Sequence, residues 1–169
     1  MAEPHRTLNA LPLTEARAAL ERCCGSRRWV EAMLARRPFL DELQLMAASD
    51  AVLDELGRDD LLEAFAHHPP IGLDLEALRQ KFGASAELSA GEQAGALQAD
   101  RATLEALRDH NRAYLERFGF IFIVCASGKS AAEMLALLER RLHNPPDVEL
   151  GIAAAEQGKI SKLRLEKLG

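Results

Sequence analysis

Residues that build strands are scarce in this chain. Thr, Val and Ile together number 12 of 169, whereas Ala, Leu, Glu and Arg abound. β-branched side chains suit a pleated backbone and unbranched ones suit a helix, so the composition predicts an all-α fold. Cysteine is scarce as well. Of the three, two are adjacent at Cys23-Cys24, which makes neither a disulfide framework nor a Cys-x-x-Cys metal pair and fits a reducing compartment. Positive charge has no surplus: Lys and Arg number 21 against 26 Asp and Glu, for a formal net charge of -5. With no basic run interleaved with aromatics, a nucleic-acid partner is not expected. No apolar run reaches the length of a membrane span, and Met1-Ala2-Glu3-Pro4-His5 lacks the charged-then-apolar pattern of a secretory signal. The Lys167-Leu168-Gly169 ending is not a peroxisomal address. These absences predict a cytoplasmic protein with no membrane partner and no metal. The rest is ordinary: 48% hydrophobic and 28% charged residues describe a globular chain, and the length predicts a single domain over residues 1–169. Neither an internal repeat nor a low-complexity tract is present.

The chain is organised around Ala66-His67-His68-Pro69-Pro70-Ile71-Gly72. A helical segment, Asp59-Asp60-Leu61-Leu62-Glu63-Ala64-Phe65, runs into two prolines that offer no backbone N–H, and the first pushes His68 out of the α region. Unpaired carbonyls and the negative pole of the helix dipole would favour an imidazolium at that end, a fit place for a general acid. A plain helix stop gives the same sequence, since Pro commonly follows a helix C-terminus. The remaining chain decides between them.

Taken in order, the chain predicts about seven to nine helices. Thr14 is a candidate N-cap for a helix that Gly25 ends. Ser26 can cap the next, whose apolar stripe is Trp29, Val30, Met33 and Leu34, with Trp29 in the core. Residues 40–56 give an amphipathic span with a break near Ser49-Asp50, and Leu75, Leu78 and Phe82 suggest a short helix before a loop over a site. Ser89-Ala90-Gly91-Glu92 has the spacing of a capping box. Leu104, Leu107, Asn111, Tyr114, Leu115 and Phe118 mark a long helix that stops at Gly119. A buried Asn needs partners, so Asn111 ties helices together or faces a polar cavity.

Phe120-Ile121-Phe122-Ile123-Val124-Cys125 is the one strand-like run. In a helical protein it must be buried and extended with no sheet to satisfy it, so a planar polar ligand could supply partners. Ala126-Ser127-Gly128-Lys129-Ser130 follows and tempts a phosphate-loop reading, but the first glycine of G-x-x-x-x-G-K-S would fall at Ile123. Ser130 instead can cap a helix bearing Met134, Leu137, Leu138 and Leu142, and Asp147 can cap the last. Val148, Ile152, Ala155, Ile160 and Leu163 are expected to form the buried stripe of that final helix, with Lys159, Arg164 and Lys167 at its basic end.

The ordered set Cys23-Cys24-Gly25-Ser26-x-x-Trp29, Arg37-Pro38-Phe39, His68-Pro69, Ser89-x-x-Glu92-Gln93, Asn111-x-x-Tyr114, Phe118-Gly119-Phe120-x-Phe122 and Glu156-x-x-Lys159-Ile160-x-x-x-Arg164-Leu165 resembles the 2-oxo-4-hydroxy-4-carboxy-5-ureidoimidazoline (OHCU) decarboxylase family. That resemblance covers nearly the whole chain. It implies an all-α, cofactor-free enzyme, commonly a homodimer, that makes (S)-allantoin on the route from urate. Carried over, the catalytic pair falls on His68 and Glu92, and not on His67, which receives no role. Ligand-binding positions fall on Pro69, on Ser89 through Gln93, on the backbone of Phe122, Ile123, Val124, Cys125 and Ala126, and on Arg164. One departure is Pro70, which stands where the family usually has a charged residue, so no charge at that position can serve chemistry here.

Other readings of the same residues are a non-catalytic helical interaction module, a phosphate-ligand binder using residues 127–130, and a related enzyme for another ureide or hydantoin acid.

Overall fold

The computed structural model describes residues 2–82 and 90–169, and of residues 90–100 the backbone alone. Within these residues the secondary structure is helical, with no strand. In chain order come α1 (Pro4–Ala10), α2 (Leu13–Cys23), α3 (Arg27–Ala35), α4 (Glu42–Asp54) and α5 (Arg58–Ala66), then a 3-10 turn (Ile71–Leu73). They are followed by α6 (Leu75–Phe82), α7 (Ala90–Phe118), α8 (Ala131–Arg141) and α9 (Pro146–Glu166). The all-α expectation and its number of helices hold. Contacts gather into two compact units, one made of residues 1–68, 123–125 and 150–169 and the other of 69–122 and 126–149.

In the first unit α3 packs on α2, α4 and α5, and α1 packs on α2 and α4. Leu8, Leu20, Trp29, Met33, Leu45, Val52, Phe65 and Leu165 are fully buried there, and each such side chain contributes about 1.5–3 kcal/mol by leaving water. Ser26 starts α3 as its sequence predicts, its hydroxyl accepting from the Trp29 N–H at 3.2 Å. Arg37-Pro38-Phe39 proves to be a clasp. The Arg37 guanidinium donates to the Leu8 and Leu11 carbonyls, both at 2.8 Å. Asn9 accepts from the Phe39 N–H at 2.9 Å and donates to its carbonyl at 2.8 Å.

The second unit is built on α7, against which α6, α8 and the 3-10 turn pack. Its aromatic cluster joins Tyr114 to Phe118, Phe120 and Phe122 at centroid distances of 4.6, 5.8 and 5.3 Å. Glu149 is completely buried among polar partners. Tyr114 donates to Oε1 at 2.5 Å, Arg141 Nε at 2.7 Å, and Asn144 donates to Oε2 at 3.0 Å. Asn111 donates to the Leu107 carbonyl one turn back at 2.8 Å, and it seats the 3-10 turn as well. A Cβ on Gly72 would lie 2.6 Å from its amide. Gly119, at φ +80, ends α7 in the left-handed region that glycine adopts without strain.

Several expectations are corrected. A helix, α1, precedes the predicted first one, and Thr14 lies inside α2, whose cap position is Pro12. α4 runs unbroken through Ser49, which is buried. α9 starts at Pro146, ahead of Asp147, because proline fits a first turn whose N–H groups are unpaired in any case. Its buried side chains Glu149, Ala153, Gln157, Ser161 and Leu165 recur four residues apart, with Gly158 buried beside them, while Val148 and Leu163 are 50% and 36% exposed. The helical period holds, and the buried face is a different one. Polar side chains with fixed partners occupy the buried stripe, which a count of apolar residues does not detect. The strand-like run has neither helix nor strand over residues 121–126, with Phe120 and Ile123 buried and the residues between and after them half-buried.

Candidate functional site

α5 stops at Ala66 because the chain must turn before two prolines, and the two histidines divide the consequences. His67 serves the helix end. Its Nδ1 donates to the Glu63 carbonyl at 2.9 Å and its backbone N–H to the Ala64 carbonyl at 3.3 Å. The His67 ring occupies the space that a side chain at Gly25 would fill. His68 is thereby released to point elsewhere: half-buried, it donates from Nε2 to Oε1 of Gln157, on α9, at 2.5 Å.

The expectation that the helix end would hold a proton on His68 is overturned. Burial is the largest influence and pushes its pKa below the ordinary 6.5; the Gln157 bond opposes this, and the positive charge of Arg164 and then His67 push it further down. The last carbonyls of α5 are already taken by His67 and by backbone N–H groups, so little of the helix end is left to favour an imidazolium.

α9 gathers the first unit's share of the candidate residues. Glu156 accepts from the Cys125 N–H at 3.1 Å, and Gln157 holds His68. Gln157 also donates to Ser161 at 3.0 Å. Arg164 donates to the Arg22 carbonyl at 3.3 Å. Positions 157, 161 and 164 recur at steps of four and three, so one helix face carries all three side chains. Thus His68, Ile123, Val124, Cys125 and Arg164 fall in the first unit, while Pro69, Phe122 and Ala126 fall in the second. Phe122 has its ring beneath the Arg141 guanidinium, 4.5 Å from carbon to centroid. Glu92 and Gln93 lie on the first turn of α7 and their side chains are outside the described residues, as is Ser89 altogether.

The residues of the rejected phosphate loop have local duties. Gly128 adopts φ +74 in a turn, and the Ser130 hydroxyl caps α8 by accepting from the Glu133 N–H at 3.2 Å. Among the described residues no group of His, Cys, Asp and Glu is placed to hold a metal ion, and none of the helices is long and apolar enough to cross a membrane.

This arrangement presents a histidine with one nitrogen anchored and an arginine close enough to act on its ionisation. The OHCU decarboxylase family model matches residues 9–166. The chain belongs to the OHCU decarboxylase family. It is 40% identical over 148 residues to the uric acid degradation bifunctional protein TTL of Arabidopsis thaliana, covering 86% of this chain and 45% of that protein. This chain therefore spans less than half the length of that relative. It is 34% identical to the OHCU decarboxylase of Amia calva, over 81% of this chain and 77% of that one. A crystal structure of OHCU decarboxylase in the presence of (S)-allantoin superposes with a TM-score of 0.68 at 38% identity, covering 88% of this chain and 94% of that chain.

For an OHCU decarboxylase family member, Gln157 and Ser161 are the residues that sequence reasoning missed. Both sit inside the last motif between Glu156 and Arg164, and their spacing to Arg164 was the available signal. Glu156 was visible in the motif without a role, and the structure supplies one.

Proposed function

We propose that this chain decarboxylates OHCU to (S)-allantoin with His68 and Glu92 as the reacting pair. Membership of the family makes it a carboxy-lyase of urate degradation. The observation that supports His68 is its release from helix capping, half-buried and held through Nε2.

The substrate carries its carboxylate on the ring carbon that also bears the hydroxyl, beside a C=N group. As carbon dioxide leaves, the electron pair of the broken bond forms a C=C bond to the neighbouring carbon, and the C=N pair passes to nitrogen, which takes up a proton. The hydroxyl then gives up its proton to become a carbonyl, and the neighbouring carbon receives one on a single face. The substrate thus contains its own electron sink, and no metal or organic cofactor is required. The protein's task is orientation and stabilisation of the charge that moves into the ring. His68 takes the hydroxyl side of the ring, and the pair His68 and Glu92 manages the proton delivered to carbon. Arg164 balances the anion. Pro69, Ser89, Gln93 and the backbone of Phe122, Ile123, Val124, Cys125 and Ala126 match the ring amides and the ureido arm. The enzyme acts as a single domain over residues 1–169, as a homodimer, in the cytoplasm.

The test is substrate consumption. OHCU generated in place from urate should disappear faster with the protein than by spontaneous decay, and His68→Ala should lose at least about 100-fold of the acceleration, the scale of general acid–base catalysis. Full acceleration in the variant would remove His68 from the mechanism.

A further inference from the structure

A neutral imidazole carries one proton, and which nitrogen bears it decides where the basic lone pair lies. For His68 the answer is built into residues that the reaction itself does not need. Gln157 is completely buried and Ser161 is 1% exposed, so their polar atoms need partners within the fold. Ser161 Oγ accepts from the Gln157 Nε2 amide at 3.0 Å. The Gln157 carbonyl oxygen is left facing His68, where Nε2 lies 2.5 Å away. A carbonyl oxygen only accepts. The proton therefore sits on Nε2, and the lone pair on Nδ1.

We propose that Gln157 is a positioning residue that, oriented by Ser161, fixes His68 as its Nε2–H tautomer and so presents Nδ1 as the basic atom of the site. Ser161 stands one helical turn beyond Gln157 on α9, so one helix holds both members. Within the Cys23-Cys24-Gly25-Ser26 motif, Gly25 makes room for His67 and Ser26 caps α3.

The role is worked through His68, so it rests on the assignment of His68 as a catalytic group, but its first readout does not. Long-range proton–nitrogen correlation spectra of the full chain near pH 8, with His68 assigned by its loss in His68→Asn, should show Nε2 protonated and Nδ1 bare. In Gln157→Leu the ring should become a mixture of both tautomers. Gln157→Glu should raise the His68 pKa by at least about one unit, because a carboxylate on Nε2–H favours the imidazolium. The other charges that face the ring, Arg164 and His67, are unchanged in these variants. Ser161→Ala, a milder change, frees the amide to turn over and should also populate the Nδ1–H form. In activity, kcat should fall at least about tenfold in Gln157→Leu with a smaller change in KM, and the acid limb of the pH profile should move upward in Gln157→Glu. A purely structural Gln157 would move neither the ring nitrogens nor the limb. Nδ1–H in the wild type, or an unaltered tautomer in both Gln157→Leu and Ser161→Ala, would overturn the proposal. The expected tautomer together with full activity in His68→Ala would instead overturn the catalytic reading and leave the tautomer assignment standing.

Discussion

The imidazole of His67 rests on Gly25: a Cβ built there would lie 2.3 Å from the ring's Cγ and 2.5 Å from Nδ1. No side chain other than hydrogen is compatible with that ring position. The contact links the end of α2 to the end of α5, and it places the residue immediately before His68.

Gly25→Ala should therefore displace His67, break its bond to the Glu63 carbonyl and loosen the turn that aims His68. The expected cost is about 1–3 kcal/mol of stability, the range for overfilling a packed site, with a larger proportional loss of activity than of stability. Urea unfolding and steady-state rates on the same preparation check both.

Glu149 compensates Arg141 inside the second unit, where the Arg141 side chain is 9% and the Glu149 side chain 0% exposed. Glu149→Gln removes the negative charge and should cost about 3–5 kcal/mol, as expected when one member of a buried pair is left alone. Tyr114→Phe should cost less, about 1.5–3 kcal/mol, for one bond to a charged acceptor. Burial, and then the bond to Glu149, hold the Tyr114 hydroxyl protonated far into the alkaline range. No tyrosinate absorbance should therefore develop until the protein unfolds.

His68 titrates below 6.5 when folded, first because it is buried. Unfolded, it binds a proton at the ordinary value, so as pH falls from about 7 through that window the unfolded state holds more protons and stability declines. His68→Asn lacks this contribution, and its stability relative to the wild type should improve as pH falls over the same interval. In the proposed mechanism the neutral ring is the competent form, so kcat/KM should keep its plateau to below pH 6.5 before its acid limb. A limb above 6.5 would contradict the assignment.

Local signals carried most of what was legible. Ser26 as a cap, Trp29 as core, the end of α7 at Gly119 and Ser130 at the head of α8 each depend on a few neighbouring residues, and each stands as read. α9 failed for the complementary reason. Its buried face includes Glu149 and Gln157, whose partners Tyr114 and His68 lie 35 and 89 positions away in sequence. A polar residue with so distant a partner is indistinguishable from a solvated one until the chain is folded. Resemblance already separated the two histidines; the structure adds that His67 ends the helix through Glu63, four residues back, and that His68 is held by Gln157, 89 residues on. The charged half of the candidate site was legible only through family resemblance: Glu92 has no local feature beyond a capping-box spacing that an ordinary helix start shares.

The most direct measurement is the handedness of the product. OHCU also decays unaided to racemic allantoin, so it should be generated in place with urate oxidase and hydroxyisourate hydrolase and the circular dichroism followed as allantoin forms. A rapid signal of (S)-allantoin in the presence of the wild-type protein, absent with His68→Ala, is the predicted result. A racemic product formed at the spontaneous rate with the wild-type protein would contradict the account at its centre.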